Sequence, residues 1–101
     1  MAEIYKDSFL VEGINPDDCF TMAIEKSTNT FPNFVFWKQR PIARLFALKE
    51  KDNHFSTINF FLVTKESGVE IEIRFNTRGY EIDQLKSMFD SFKTEMMKSY
   101  Y

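Results

Sequence analysis

Residues His54 to Phe75, HFSTINFFLVTKESGVEIEIRF, predict two antiparallel strands joined by a tight turn. In the second half, apolar and charged residues alternate: Val69, Ile71, Ile73 and Phe75 against Glu70, Glu72 and Arg74. A period of two is typical of a strand with one buried and one solvent-exposed face. The turn is predicted at Lys65–Gly68, with the glycine where a positive φ is expected.

The register of this hairpin follows if Thr64 lies opposite Val69. The pairs that continue it are Leu62 with Ile71, Phe60 with Ile73, and Ile58 with Phe75. All of these residues are apolar and share one face of the sheet. That face is predicted to receive a helix.

Three further strands are predicted outside the hairpin, at Ile4–Val11, Phe31–Gln39 and Ile42–Glu50. Aromatic residues crowd the second of them, and aromatic side chains favour strands. Pro41 separates the last two strands because its nitrogen cannot donate a hydrogen bond to a neighbouring strand.

Two helices are predicted, one inside the chain and one at its end. Asn15 can cap the first, from Pro16 to about Lys26, with Ser27–Thr30 as its exit loop. The second runs from Tyr80 to about Ser99, where apolar residues recur every three or four positions: Ile82, Leu85, Phe89, Phe92 and Met96. The fold class is therefore α+β, an antiparallel sheet of about five strands in the order β-α-β-β-β-β-α, with the long C-terminal helix packed on one face. The 101 residues predict a single domain.

The position of the strand before the hairpin follows if Lys49 lies opposite His54 in the turn between them. It puts Ala43 and Leu45 on the apolar helix-bearing face, where the small alanine leaves room for helix side chains. The other face then carries Ile42, Phe46, Leu48, Phe55, Phe61 and Val63. An exposed apolar patch of this kind usually has a covering layer, a partner or a ligand, and the first helix, an N-terminal strand or a second subunit could each supply the cover.

The same register places Arg44, Asn59 and Arg74 in one row of that second face. Guanidinium groups bind carboxylates and phosphates, so this row, with Lys38 and Arg40 nearby in sequence, is a candidate anion site. A solvated row paired with Glu70 and Glu72 is the alternative.

Two segments, FLVEGINPDDCFTMAIEK (residues 9–26) and IDQLKSMFDSFKTEMM (residues 82–97), carry a resemblance to a known family. A first strand running into a capped helix, followed by four strands and a long C-terminal helix, resembles a shortened helix-grip domain of the START/polyketide-cyclase type. About two strands and a second short helix of that pattern are missing. The resemblance implies a sheet curled around the last helix and an apolar pocket for a small hydrophobic ligand, lined by Phe36, Trp37, Phe46 and Phe61.

Composition narrows the function classes. The formal net charge is −2, which gives no global field for nucleic acid, although Trp37 beside Lys38 and Arg40 is a grouping that stacks on bases. A tryptophan in the core is the favoured interpretation. No apolar run is long enough to cross a bilayer, and the start MAEIYKDSF lacks a secretory pattern, so the cytoplasm is predicted.

Catalytic and metal-binding patterns are absent from the sequence. The lone Cys19 is predicted to be a buried apolar side chain, and His54 a partly exposed residue beside a turn rather than a metal ligand. No cofactor is predicted, and an enzyme is not favoured. The favoured hypothesis is a non-enzymatic interaction or homodimerisation module, with a hydrophobic-ligand-binding protein as the alternative. The candidate interface or ligand residues are Phe36, Trp37, Arg44, Phe46, Phe55, Asn59, Phe61, Val63 and Arg74.

Overall fold

The structure is a computed structural model that describes residues 4–53 and 55–100, with the backbone alone for residues 99 and 100. Within these residues the elements follow in chain order: β1 (Tyr5–Glu12), α1 (Pro16–Thr30), β2 (Phe34–Arg40), β3 (Leu45–Glu50), β4 (Thr57–Thr64), β5 (Gly68–Asn76) and α2 (Ile82–Tyr100). The strands form one antiparallel sheet in the order β1-β5-β4-β3-β2. The predicted α+β class and element order are confirmed.

The hairpin of β4 and β5 has the predicted register, with Thr64 opposite Val69 and Ile58 opposite Phe75. Lys65 closes the turn by donating its N–H to the Gly68 carbonyl at 2.7 Å. Gly68 has no positive φ, contrary to the prediction. It is required instead by the close approach of β1, since a Cβ at this position would collide with the Val11 carbonyl oxygen.

The helix α1 starts where it was predicted and ends later. The Asn15 side chain accepts hydrogen bonds from the N–H groups of Asp17 and Asp18, at 2.8 and 3.3 Å. The predicted exit loop is helical because the hydroxyls of Ser27 and Thr28 donate to the Ile24 carbonyl, which satisfies these polar groups without ending the helix.

Both helices pack on the same face of the sheet, and phenylalanine rings fill the space between the layers. The fully buried Phe92 of α2 lies at their centre, with ring-centroid distances of 5.3 Å to Phe60, 6.0 Å to Phe9 and 6.2 Å to Phe31. Phe60 also stacks on Phe46 at 4.3 Å. The opposite side of the sheet has no covering element among residues 4–53 and 55–100, and we call it the uncovered face.

The register predicted between β3 and β4 is wrong by three residues. Lys49 lies opposite Thr57, and Leu48 lies opposite Ile58. The loop between β3 and β4 is longer than predicted by these three residues. It is held by hydrogen bonds in which the N–H groups of Phe55 and Ser56 donate to the side chain and the carbonyl of Asn53. An odd shift exchanges the two faces of a strand. Phe46 and Leu48 are therefore in the core, whereas Leu45 and Ala47 belong to the uncovered face.

The third strand begins at Leu45 rather than Ile42. Residues 41–44 form a turn in which the Arg44 N–H donates to the Pro41 carbonyl at 3.1 Å. Arg44 has a φ of 52°, in the left-handed region, so the strand cannot continue through it. The predicted strand positions of Ile42 and Ala43 are wrong for the same reason, and Ile42 is fully exposed.

Candidate interaction face

Side chains on the uncovered face form rows that cross the sheet, because each strand residue lies opposite one on the next strand. The first row consists of Lys38, Ala47, Asn59, Arg74 and Lys6. The second row, one step along the strands, consists of Arg40, Leu45, Phe61, Glu72 and Ser8. Val63 and Glu70 lie opposite each other in the next step.

Two of the three residues predicted to share a row lie side by side on the uncovered face. Asn59 and Arg74 do lie opposite each other. Arg44 does not join them, because the turn directs its side chain to the helix side, where Nη2 donates to Asp17 Oδ1 of α1 at 3.0 Å. Ala47 takes its place in the row.

The aromatic candidates are spread over three regions. Phe46 is buried beneath α1, where its ring meets Phe20 edge to face at 5.8 Å. Phe61 lies on the uncovered face, and the Arg74 guanidinium carbon is 4.4 Å from its ring centroid. Phe55 belongs to the loop between β3 and β4 and is 76% exposed.

The remaining two candidates lie on the edge strand β2. Phe36 pairs with Leu48, on the helix side, but is exposed beyond the helices. Trp37 is 44% exposed, so the prediction of a core tryptophan is wrong; the Lys38 Nζ lies 4.2 Å from its ring centroid. Of the four residues proposed to line a ligand pocket, Phe46 and Phe61 border one depression, whereas Phe36 and Trp37 do not line it. The rings around Phe92 occupy the space between sheet and helix where that pocket was expected.

Lys38 and Arg40, which lie near the row in sequence, are brought onto this face by an irregularity of β2 that periodicity does not predict. The register of β2 shifts by one residue between Phe36 and Lys38, with Trp37 as the extra residue of a β-bulge. Regular alternation would put Lys38 opposite Phe46, on the helix side. With the bulge it lies opposite Ala47, and Arg40 lies opposite Leu45, both on the uncovered face.

A depression of about 180 Å³ opens where these residues meet. Its lining consists of Lys38, Gln39, Arg40, Leu45, Phe46, Ala47, Asn59, Phe60 and Phe61. Charge is distributed unevenly around it. The basic Lys38 and Arg40 lie on β2, whereas Glu70 and Glu72 lie on β5, where Glu72 pairs with Arg74 at 2.5 Å and Glu70 with Lys65 at 3.8 Å.

Two groups outside this face, the Cys19 thiol and the Tyr80 hydroxyl, have raised pKa values. Burial raises the pKa of the Cys19 thiol to about 11, so this confirmed core residue is protonated and unreactive at neutral pH. Burial and the hydrogen bond to Glu50 at 2.8 Å raise the pKa of the Tyr80 hydroxyl to about 12. The interpretation of His54 falls outside the described residues. Among the residues that are described, no group of three or more His, Cys, Asp or Glu side chains is suited to hold a metal ion.

Comparison with known proteins leaves the family open. No protein-family model matches the chain, and no curated protein matches it by sequence. Among solved structures, the crystal structure of Ara h 8.0201 aligns with 93% of this chain and 97% of its own, at 8% sequence identity and a TM-score of 0.48. This is a likeness, and no ligand or site residue is transferred from it. Within the described part of the chain, neither helix has the length and apolar character needed to cross a membrane.

Proposed function

We propose that this protein is a non-enzymatic self-association module, and that its uncovered face binds a second copy of the chain. The observation that supports this is the pattern of that face. Apolar side chains of Leu45, Phe61 and Val63 occupy its middle, the basic Lys38 and Arg40 lie on β2, and β5 carries Glu70 and Glu72 together with Arg74. The row that runs from Arg40 through Leu45 and Phe61 to Glu72 is complementary to itself.

The rows suggest how two copies would meet. A two-fold axis parallel to the strands, between β3 and β4, exchanges β2 with β5 and β3 with β4. Arg40 of one copy then lies over Glu72 of the other, and Leu45 lies over Phe61. Because the interface is isologous, each of these contacts occurs twice. Lys38 would approach Arg74 of the second copy, and this like-charge contact keeps the association weak.

The area of the face sets the expected strength. The four strands that overlap, β2 to β5, are each about 4.8 Å wide and roughly seven residues long, which gives an interface of about 450 Å² per copy. The total of about 900 Å² lies below the range of stable complexes, ~1,200–2,000 Å². We therefore expect a reversible dimer with a dissociation constant of micromolar order or weaker, populated at high protein concentration.

Phe61→Glu is the direct test, because it places a charge in the apolar centre of the interface. Sedimentation velocity over a hundredfold range of concentration should show a rise in mass for the wild type and a constant monomer mass for this variant. The matched control is Phe55→Glu, which alters an equally large aromatic residue outside the face and should associate like the wild type. Circular dichroism checks that both variants are folded.

A charge exchange adds a second criterion. Arg40→Glu should weaken the dimer, and adding Glu72→Arg in the same chain should restore it, since the opposed charges are only exchanged. Two results would reject the proposal: a wild type that stays monomeric at millimolar concentration, or a Phe61→Glu variant that associates as strongly as Phe55→Glu.

A further inference from the structure

We infer that the depression around Ala47 is a binding site for a small aromatic carboxylate. The site lies on the uncovered face, yet binding to it needs only the single chain. If the proposed dimer forms, the ligand and Glu72 of the second copy compete for the same cations. Only this competition depends on the proposed function.

The depression results from the short side chain of Ala47. Lys38 lies opposite it on β2 and Asn59 lies opposite it on β4, so longer side chains flank it on both sides. Arg40 and Phe61 flank Leu45 in the same way, one step along. Four long side chains therefore surround a floor made by one methyl group.

The cations on one wall favour an anion. Lys38 and Arg40 are two residues apart on the same side of β2, so their backbones are about 7 Å apart. Among the described residues neither has a carboxylate within ion-pair distance. Arg74, by contrast, is paired with Glu72. On the opposite wall, the Asn59 amide makes a long hydrogen bond of 3.4 Å to Thr57 and has donor capacity to spare.

The rest of the lining favours a flat apolar body attached to that anion. Phe61 and Leu45 supply an aromatic and an aliphatic surface beside the cations. A cavity of about 150 Å³ holds one benzene molecule, so about 180 Å³ is suited to a single ring with its carboxylate. A guanidinium such as that of Arg40 binds a carboxylate through two parallel hydrogen bonds.

Benzoate is the probe. Amide spectra of ¹⁵N-labelled protein are recorded while benzoate is added. The protein concentration is one at which sedimentation of the same sample in the ultracentrifuge gives the monomer mass. We expect saturable shifts confined to residues lining the depression. Benzamide, which keeps the ring and loses the charge, and acetate, which keeps the charge and loses the ring, should each bind at least fivefold more weakly.

Arg40→Gln and Lys38→Gln should each weaken benzoate binding about fivefold, as expected for one solvated charge contact. Lys93→Gln removes an exposed charge on α2 and should leave binding unchanged. The inference is overturned if benzoate causes no saturable shift in the depression, or if the three variants bind it equally. Benzoate binding without any dimer would reject the proposed function alone, and a dimer that ignores benzoate would reject this inference alone.

Discussion

Replacing Phe92 with alanine should remove a large part of the stability of this fold. Phe92 is fully buried, and its ring contacts those of Phe9, Phe31 and Phe60. Phenylalanine-to-alanine changes in protein cores cost ~3–5 kcal/mol. Three aromatic pairs, each worth ~0.5–1.5 kcal/mol beyond their buried area, place this site in the upper part of that range, at about 4–5 kcal/mol.

This cost is large relative to the whole. A domain of this size has a free energy of unfolding of ~5–15 kcal/mol, so the variant would lose about a quarter or more of it. At ~4–8 °C per kcal/mol, the unfolding midpoint should fall by roughly 15–40 °C.

Guanidinium unfolding followed by circular dichroism measures the effect, at one fixed protein concentration because dimer formation would add concentration-dependent stability. Phe55→Ala is the matched control: the same chemical change at a side chain that is 76% exposed should alter stability by ~0.5 kcal/mol or less. The packing described for the core would be refuted if Phe92→Ala cost less than about 2 kcal/mol, or no more than the control.

Two further predictions concern the Tyr80 hydroxyl and the glycines at positions 68 and 79. The Tyr80 hydroxyl has a folded-state pKa of about 12, above its ordinary 10.0, so its contribution to stability is complete below pH 10 and is lost as the pH rises to about 12. Tyr80→Phe should flatten this alkaline decline in the free energy of unfolding. An unchanged decline would contradict the raised pKa of Tyr80. Gly68→Ala should lower the free energy of unfolding by ~3 kcal/mol because the added methyl group meets the backbone of β1, whereas Gly79→Ala, in open space at a φ of 80°, should lower it by only ~1 kcal/mol. Urea unfolding of both variants measures these costs. Equal costs would show that β1 does not approach Gly68 closely.

Sequence periodicity predicted the hairpin well because two independent signals agree there. The alternation of β5 identifies its faces, and a four-residue turn leaves one way to pair Thr64 with Val69. The order of elements follows from similar local signals, such as the Asn15 cap and the apolar spacing of α2.

The uncovered face could not be predicted in the same way, because it depends on local irregularities of the backbone that periodicity does not encode. Hydrogen bonds to Asn53 lengthen the loop before β4 and reverse the faces of β3. The positive φ of Arg44 makes β3 begin late, at Leu45, and removes Arg44 from the row. The bulge at Trp37 then brings Lys38 to a position that regular alternation would exclude.

The bulge also makes the two margins of the sheet unequal. The pairing of β1 with its neighbour shows no shift over eight residues, whereas β2, at the other margin, is interrupted at Trp37 and followed by Pro41. A regular outer strand is a template for another strand, and an irregular one is not. We therefore expect any lateral growth of this sheet to proceed from β1 alone, so that two copies joined through their β1 strands would end in bulged margins, and the assembly would close as a pair rather than lengthen into a fibre.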